Sequence, residues 1–191
     1  MRPRGRRLVK VPDRAGIAVD RRALEGLVRS RLVEAGGSRE LHVPTRRAPA
    51  STTVGDLPRL YRRYVVIRRS RFRLEYFHRL RRVRTYPIAV GMQGLETPAG
   101  EYEVQGKQIN PVWQVPDSPW AGSKAGKLIP PGPKNPIKAR WMGFDGSAGI
   151  HGTTELGSLG RAASHGCVRM SIPDVKDLYR RVRVRTPVRI E

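Results

Sequence analysis

The chain has 191 residues, of which 38% are hydrophobic and 6% aromatic, enough for one buried domain with an appendage or for two small domains. No apolar run approaches the roughly 20 residues of a membrane-spanning helix, and the single cysteine excludes an intrachain disulfide and a cysteine-rich zinc site. The net charge of +22 is concentrated in residues 1–85, which hold 24 Lys/Arg against 7 Asp/Glu. It indicates polyanionic surroundings or, equally, a solvated arginine-rich surface.

The N-terminal part predicts a small α+β segment. Asp20 suits a helix N-cap, apolar residues between 17 and 35 have helical spacing, and the glycines at 36–37 would stop the helix. Residues 40–43 predict a short extended run. Residues 44–58, which are rich in Pro, Ser and Thr, predict a linker.

After residue 58 the hydrophobic period changes to two, which is typical of strands. Residues 105–149 are rich in Gly, Pro and Trp, and they predict a long ordered loop. The pattern of short strands with few helices indicates a mostly β domain over residues 58–191. Strands are predicted at residues 64–67, 72–76, 85–90 and 101–104, a helix from Pro173, and closing strands within residues 182–190.

The candidate catalytic residues lie between residues 150 and 170. Cys167 follows His165 by two positions and His151 by 16. A cysteine becomes a nucleophile when a nearby histidine or cation populates its thiolate. His151 is too distant in sequence to reach the sulfur locally, but two neighbouring strands could bring the two residues together.

The residues around the cysteine could complete an acyl-transfer site. His165 and Cys167 share a face if the segment is extended, and Gly166 permits a tight turn. Successive amides around Gly166 could form an oxyanion hole. Arg169 could bind a substrate carboxylate.

Each of these residues also has a structural interpretation. A single histidine such as His151 is more often a hydrogen-bonded structural residue than a base, and the glycines could be ordinary turn residues. Two histidines and one cysteine could hold a zinc ion with an open position, although no fourth protein ligand has the usual spacing. From the residues alone, thiol catalysis is as well supported as these alternatives together.

The residues from His151 to Met170 closely resemble the signature of the L,D-transpeptidase catalytic domain, which is a His, a spacer and then Ser/Thr-His-Gly-Cys. Here the two parts read His-Gly-Thr from residue 151 and Ala-Ser-His-Gly-Cys-Val-Arg-Met from residue 163. One departure is Phe-His-Arg at residues 77–79, where the family often has a hairpin turn with glycine. Further segments resemble the family at residues 85–91, 97–100, 135–143 and 174–188.

The resemblance implies a β-sandwich-like catalytic fold with a short C-terminal helix, preceded by a small α+β remnant, and it implies neither cofactor nor metal. Cys167 would be the nucleophile, and His151 the general acid/base, oriented by the backbone carbonyl of Gly152. His165, Gly166 and the cysteine would supply oxyanion-hole amides. The implied substrate-binding residues are Ser164, Arg169 and Trp141.

The implied reaction is a two-step acyl transfer on peptidoglycan. The thiolate attacks the third residue of a tetrapeptide stem, releases the terminal D-alanine and leaves a thioester, which an amine of a neighbouring stem converts to a 3→3 cross-link. Two alternatives stay open at this point. One is an L,D-carboxypeptidase that uses water as the acceptor, and the other is a non-catalytic basic wall-binding protein.

Residues 1–57 resemble, less specifically, the end of a peptidoglycan-binding module, which gives a boundary between domains 1–57 and 58–191. The expected partners are peptidoglycan stem peptides and, through the basic N-terminal half, anionic wall polymers. No nucleic-acid-binding motif is present in the sequence. We expect an extracytoplasmic location, in the periplasm or cell wall. Since no apolar stretch follows the basic first ten residues, we also expect the natural start to lie upstream.

Overall fold

The computed structural model describes residues 2–4, 7–34, 36 and 40–191, with side chains from Leu8 onwards. These residues form two compact units, one of Lys10–Leu57 and one of Pro58–Glu191 together with Arg2–Val9. Within the described residues, every helix is too short or too polar to span a bilayer.

The secondary structure is dominated by short strands. In chain order the strands are β1 (Arg2–Arg4), β2 (Arg7–Val9), β3 (Gly16–Val19), β4 (Thr45–Ala48), β5 (Arg63–Arg68), β6 (Arg73–His78), β7 (Arg81–Pro87), β8 (Val90–Gly91), β9 (Gly100–Glu103), β10 (Gly106–Ile109), β11 (Trp113–Gln114), β12 (Leu128–Ile129), β13 (Lys138–Asp145), β14 (Ala148–Thr153), β15 (Ala162–Ser164), β16 (Val168–Ser171) and β17 (Pro187–Ile190). The α-helices are α1 (Arg21–Val33), α2 (Leu57–Leu60) and α3 (Ile172–Arg181).

The described residues of the first unit include helix α1 and the antiparallel strand pair β3–β4. Helix α1 begins after Asp20, whose side chain accepts a hydrogen bond from the Ala23 amide at 3.1 Å, so the predicted N-cap is confirmed. The helix ends at Val33, shortly before the two glycines that were predicted to stop it, of which Gly37 lies outside the described residues. Residues 40–43 lie outside any strand or helix, and the prediction of a linker over residues 44–58 is wrong in part because that segment contains β4. That strand pairs with β3, a distant partner that its own polar sequence does not indicate.

The second unit contains two larger sheets around one hydrophobic core. A seven-stranded sheet has the order β1-β2-β7-β6-β5-β17-β9, and a four-stranded sheet has the order β10-β13-β14-β16. Both sheets and helix α3 contribute buried side chains to the core, among them Val65, Leu74, Met142, Ile150 and Leu178. The prediction of a mostly β domain with a short C-terminal helix is confirmed.

Most predicted strands of the second unit are present. The predictions at residues 64–67, 72–76 and 101–104 correspond to β5, β6 and β9, and helix α3 includes the predicted Pro173. The predicted strand at 85–90 is divided between β7 and β8, because the chain leaves one sheet and bridges to β16 at Ala89. Only β17 forms within residues 182–190, since the chain turns at Arg185, which has a φ of 66°.

The prediction of a loop over residues 105–149 is wrong. That segment contains β10, β11, β12, β13 and the start of β14, and β10, β13 and β14 are three of the four strands of the second sheet. Strand β13 has register shifts on both sides of its centre, so its apolar residues do not alternate as a regular strand pattern requires. For this reason the pattern of apolar residues in the sequence does not predict strand β13.

The turn between β6 and β7 consists of Arg79 and Leu80, with φ values of 48° and 66°. Positive φ at both central residues defines a type I′ hairpin, which usually contains Gly, Asn or Asp. The turn therefore keeps the geometry of a glycine-containing hairpin without the glycine. Leu80 is buried, and that burial offsets part of the cost of its left-handed backbone.

Candidate active site

Neighbouring strands bring His151 and Cys167 together. Strands β14 and β16 run parallel, with His151 opposite Arg169, and Cys167 immediately precedes β16. Two paired strands therefore carry these residues to one pocket, whereas their catalytic roles stay a prediction. Side chains alternate along a strand, so Cys167 and Arg169 share a face, whereas Val168 between them is buried in the core.

Four residues form a row across the second sheet. Gln108 on β10 is paired with Trp141 on β13, which is paired with His151 on β14, which is paired with Arg169 on β16. All four residues and Cys167 line one pocket of about 970 Å³. Because the intervening residues of β13, β14 and β16 are buried on the opposite face, the sheet separates the pocket from the core.

His151 has a fixed orientation. Its Nδ1 lies 2.8 Å from the Gly152 carbonyl oxygen, and because a carbonyl oxygen only accepts, Nδ1 carries the proton. The residue is 5% exposed. Burial lowers the pKa of His151 to about 4, the Arg169 charge acts in the same direction, and the bond to Gly152 opposes both. The imidazole is therefore neutral at pH 7, with Nε2 able to accept a proton.

Cys167 is a protonated thiol at neutral pH in the resting site. Burial raises the pKa of the Cys167 thiol, against smaller lowering effects of a Gly149 backbone hydrogen bond and the Arg169 charge. Its Sγ lies 3.7 Å from the Ser147 carbonyl oxygen. A neutral imidazole and a neutral thiol can support proton transfer during attack, rather than a preformed ion pair.

Buried hydroxyl groups hold the turn before the cysteine. Gly166 has a φ of +106°, and its carbonyl accepts a 2.9 Å hydrogen bond from Thr97 Oγ1. The same Thr97 oxygen accepts a bond from the Gly91 amide at 2.9 Å. Ser164 Oγ donates to the Cys167 carbonyl at 2.5 Å, so the hydroxyl predicted to bind substrate is bonded to the backbone.

Aromatic rings flank both histidines. Trp141 stacks beside His151 with centroids 6.0 Å apart, and Trp120 stacks on the exposed His165 with centroids 4.2 Å apart and planes within 11°. The sequence interpretation did not assign Trp120, Thr97 or Glu155 to the site. Trp120 lay in a segment rich in tryptophan, which was the available signal. Thr97 is 69 residues from its Gly166 partner, a distance that hides the contact from sequence.

Arg169 forms an ion pair with Glu155, with Nη1 and Oε2 2.8 Å apart. The side chain predicted to bind a substrate carboxylate is thus already bonded to a carboxylate of this chain. Across the described part of the chain, no three His, Cys, Asp or Glu side chains lie together as a metal site requires.

We expect Gly152→Ala to destabilise the fold by roughly 1–3 kcal/mol, the usual cost of overpacking. A Cβ at this position would lie 2.5 Å from the Lys138 carbonyl oxygen and 3.0 Å from Val175 Cγ1. Urea unfolding measures the effect. Gly157→Ala is the matched control because a Cβ there meets nothing within 4 Å. Equal stability of the two variants would contradict the close packing around His151.

We expect stability to fall between pH 6.5 and about 4 because of His151. In this interval the unfolded histidine binds a proton whereas the folded one does not, so acid favours the unfolded state. The loss amounts to about 3 kcal/mol by linkage. Urea unfolding at several pH values compares the chain with His151→Gln, which should lack this component. Parallel pH dependence of the two proteins would be inconsistent with a depressed histidine pKa.

Comparison with known proteins identifies a family and several relatives of this chain. The family model described as the L,D-transpeptidase catalytic domain (YkuD) matches residues 62–190. YqjB of Bacillus subtilis (strain 168), which carries an L,D-transpeptidase name, is 37% identical over 112 residues, covering 55% of this chain and 57% of YqjB. ErfK/SrfK of Escherichia coli (strain K12), named likewise, is 29% identical over 205 residues, covering 98% of this chain and 66% of that protein. The chain therefore spans about half to two thirds of the length of these relatives.

Solved structures share the fold. An L,D-transpeptidase from Mycobacterium tuberculosis H37Rv superposes with a TM-score of 0.54 at 20% identity, covering 78% of this chain and 70% of that one. The catalytic domain of the Enterococcus faecium L,D-transpeptidase superposes with a TM-score of 0.54 at 21% identity, covering 69% of this chain and 98% of that domain. At these identities the similarity concerns the fold.

Proposed function

Because the chain belongs to the L,D-transpeptidase catalytic domain family, we propose that it transfers acyl groups between peptidoglycan stem peptides through a thioester on Cys167. The observation that carries the proposal is the pairing of β14 with β16. This pairing places Cys167 and a neutral, backbone-anchored His151 in one pocket. An intact thiol and base favour catalysis over the alternative of a non-catalytic wall-binding protein.

In the first step, Nε2 of His151 accepts the thiol proton while the sulfur attacks the carbonyl of the third stem residue. The amides of His165, Gly166 and Cys167 stabilise the resulting oxyanion. Collapse of the intermediate breaks the amide bond to the terminal D-alanine. The imidazolium gives its proton to the departing amine, and a thioester remains.

In the second step, an amine on the third residue of a neighbouring stem attacks the thioester. His151 accepts a proton from this amine, a C–N bond forms, the C–S bond breaks, and the sulfur is reprotonated.

Other residues of the pocket support both steps. Gly152 orients the base through its carbonyl, and Trp141 and Arg169 contact the substrate. Ser164 supports the site through its bond to the Cys167 carbonyl. Water in place of the amine would give the carboxypeptidase reaction.

The proposed reaction is tested with a disaccharide-tetrapeptide that carries diaminopimelate at the third position. The products are analysed by mass spectrometry, with Cys167→Ala as the control. We expect a cross-linked dimer and free D-alanine from the natural chain and unchanged substrate from the variant. Tripeptide without dimer would replace the transpeptidase with a carboxypeptidase. Turnover by the Cys167→Ala protein would overturn the mechanism.

The basic surface supports a further part of the proposal, association with anionic wall polymers. Hairpin β6–β7 and its flanks expose several arginines, and the one acidic residue of the hairpin, Glu75, is paired with Arg68 and Arg82. Wall binding through these charges should weaken as salt increases. The exposed arginines are Arg71, Arg73, Arg79, Arg81 and Arg84.

Because peptidoglycan and its wall polymers lie outside the cytoplasm, we propose an extracytoplasmic location for the protein. We also propose that the segment before residue 58 derives from a peptidoglycan-binding module.

A further inference from the structure

The ion pair between Arg169 and Glu155 joins a shielded cation to an exposed anion. The Arg169 side chain is 15% exposed, whereas the Glu155 side chain is 68% exposed. The backbone of Glu155 is held in place, because its amide donates to Thr153 Oγ1 at 3.0 Å and its carbonyl accepts from Ser158 Oγ at 2.6 Å. Its carboxylate therefore reaches from solvent onto a guanidinium that lines the pocket.

Arg169 is the only lysine or arginine among the described residues that line the pocket. It lies two positions after Cys167 on the same face of the strand, at the end of the row that includes His151. An anionic group on a ligand that reaches the sulfur therefore meets one permanent positive charge. That charge is occupied by Glu155 before the ligand arrives.

We propose that Glu155 is an internal competitor for Arg169, and that a carboxylate on the ligand displaces it. An ion pair with one solvent-exposed partner is weak, so the exchange of one carboxylate for another has a small cost. A carboxamide cannot replace the charge-assisted bonds of a carboxylate to a guanidinium. The exchange makes the site selective for ligands with a free carboxylate near the reacting carbon over their amidated counterparts.

The exchange can be tested by alkylation of Cys167, which does not depend on the proposed function. Iodoacetate and iodoacetamide react alike: the sulfur attacks the methylene carbon, an S–C bond forms, and iodide leaves with the electron pair of the broken C–I bond. The reagents differ only in carrying a carboxylate or a carboxamide. The ratio of their rates therefore cancels effects on thiol ionisation, and the urea-unfolded chain gives the intrinsic ratio.

We expect the iodoacetate-to-iodoacetamide ratio to rise about 2- to 5-fold in Glu155→Gln, in line with the loss of a weak competing ion pair. The ratio should fall in Arg169→Gln and be retained in Arg169→Lys. Glu103→Gln removes the same charge from an exposed strand position outside the pocket, and it should leave the ratio unchanged. An unchanged or lower ratio in Glu155→Gln would overturn the proposal. It would mean that Glu155 either has no effect on ligand binding by Arg169 or holds the arginine in its binding position.

A second experiment extends the inference to peptides and rests on the proposed function. Release of D-alanine is compared for two tetrapeptide stems that differ only in a carboxylate or carboxamide on the third residue. Glu155→Gln should increase the preference in kcat/KM for the acidic stem, and Arg169→Gln should abolish that preference. If neither stem reacts with the natural chain, the proposed function fails, whereas the alkylation ratio still decides whether Glu155 competes for Arg169.

Discussion

Replacing His151 with glutamine should lower kcat by about 10²- to 10⁴-fold, the usual contribution of a general base, with little change in KM. The thiol is protonated at neutral pH because burial raises its pKa, so attack requires an acceptor for its proton. We assign this role to Nε2 of His151, since Nδ1 is bonded to the Gly152 carbonyl. Glutamine has a similar size and can form hydrogen bonds, but it cannot accept the proton at this pH.

The rate of D-alanine release from a tetrapeptide stem measures this effect. His78→Gln is a matched control because His78 is exposed and lies outside the pocket, and it should retain the full rate. Urea unfolding of both variants at pH 7 separates catalysis from stability. A His151→Gln protein with nearly full activity would require another base and would remove the proposed role of the histidine.

Replacing Thr97 with valine should have the second large effect, on stability and on catalysis together. The hydroxyl donates to the Gly166 carbonyl and accepts from the Gly91 amide, and the residue is fully buried. Valine has nearly the same shape, so the variant leaves two buried backbone groups without a partner. We expect a loss of roughly 2–4 kcal/mol in the free energy of unfolding.

The catalytic part of this prediction follows from the geometry of the peptide bond. The C=O of Gly166 and the N–H of Cys167 belong to one trans peptide and point in opposite directions. Thr97 therefore sets the direction of an amide that we assign to the oxyanion hole. Thr97→Val should lower kcat under conditions where the variant remains folded, and Thr97→Ser should restore it. If Thr97→Val reduced stability but left kcat unchanged, the role of Thr97 would be structural only, and the proposed effect on the oxyanion hole would be excluded.

Local patterns were sufficient to predict several elements of the fold. Strands β5 and β6 have regular apolar sequences, and Asp20 precedes helix α1 as a capping residue should. Strand β13 could not be predicted in this way, because its register is interrupted and its pairing with β10 and β14 is decided by the whole sheet. Strand β4 has the same character, since it is polar and is defined by its partner.

The residues of the candidate site also divide into those that the local sequence indicates and those that depend on distant contacts. Cys167 and His151 could be proposed from the sequence as catalytic residues because reactive residue types lie among small residues in a recognisable motif. The supporting residues could not be found, because their roles depend on contacts with distant residues. Thr97 acts on Gly166 across 69 positions, and Trp120 reaches His165 from a segment without regular periodicity.

The central claim is that Cys167 carries a thioester during turnover, and intact mass spectrometry tests it most directly. The chain is mixed with a tetrapeptide stem, quenched in acid within seconds and digested to locate the modification. We predict the mass of the tripeptide acyl group on Cys167, its loss on treatment with hydroxylamine, and no adduct on Cys167→Ala. Release of D-alanine with the acyl group on another residue, or by the Cys167→Ala protein, would contradict the account.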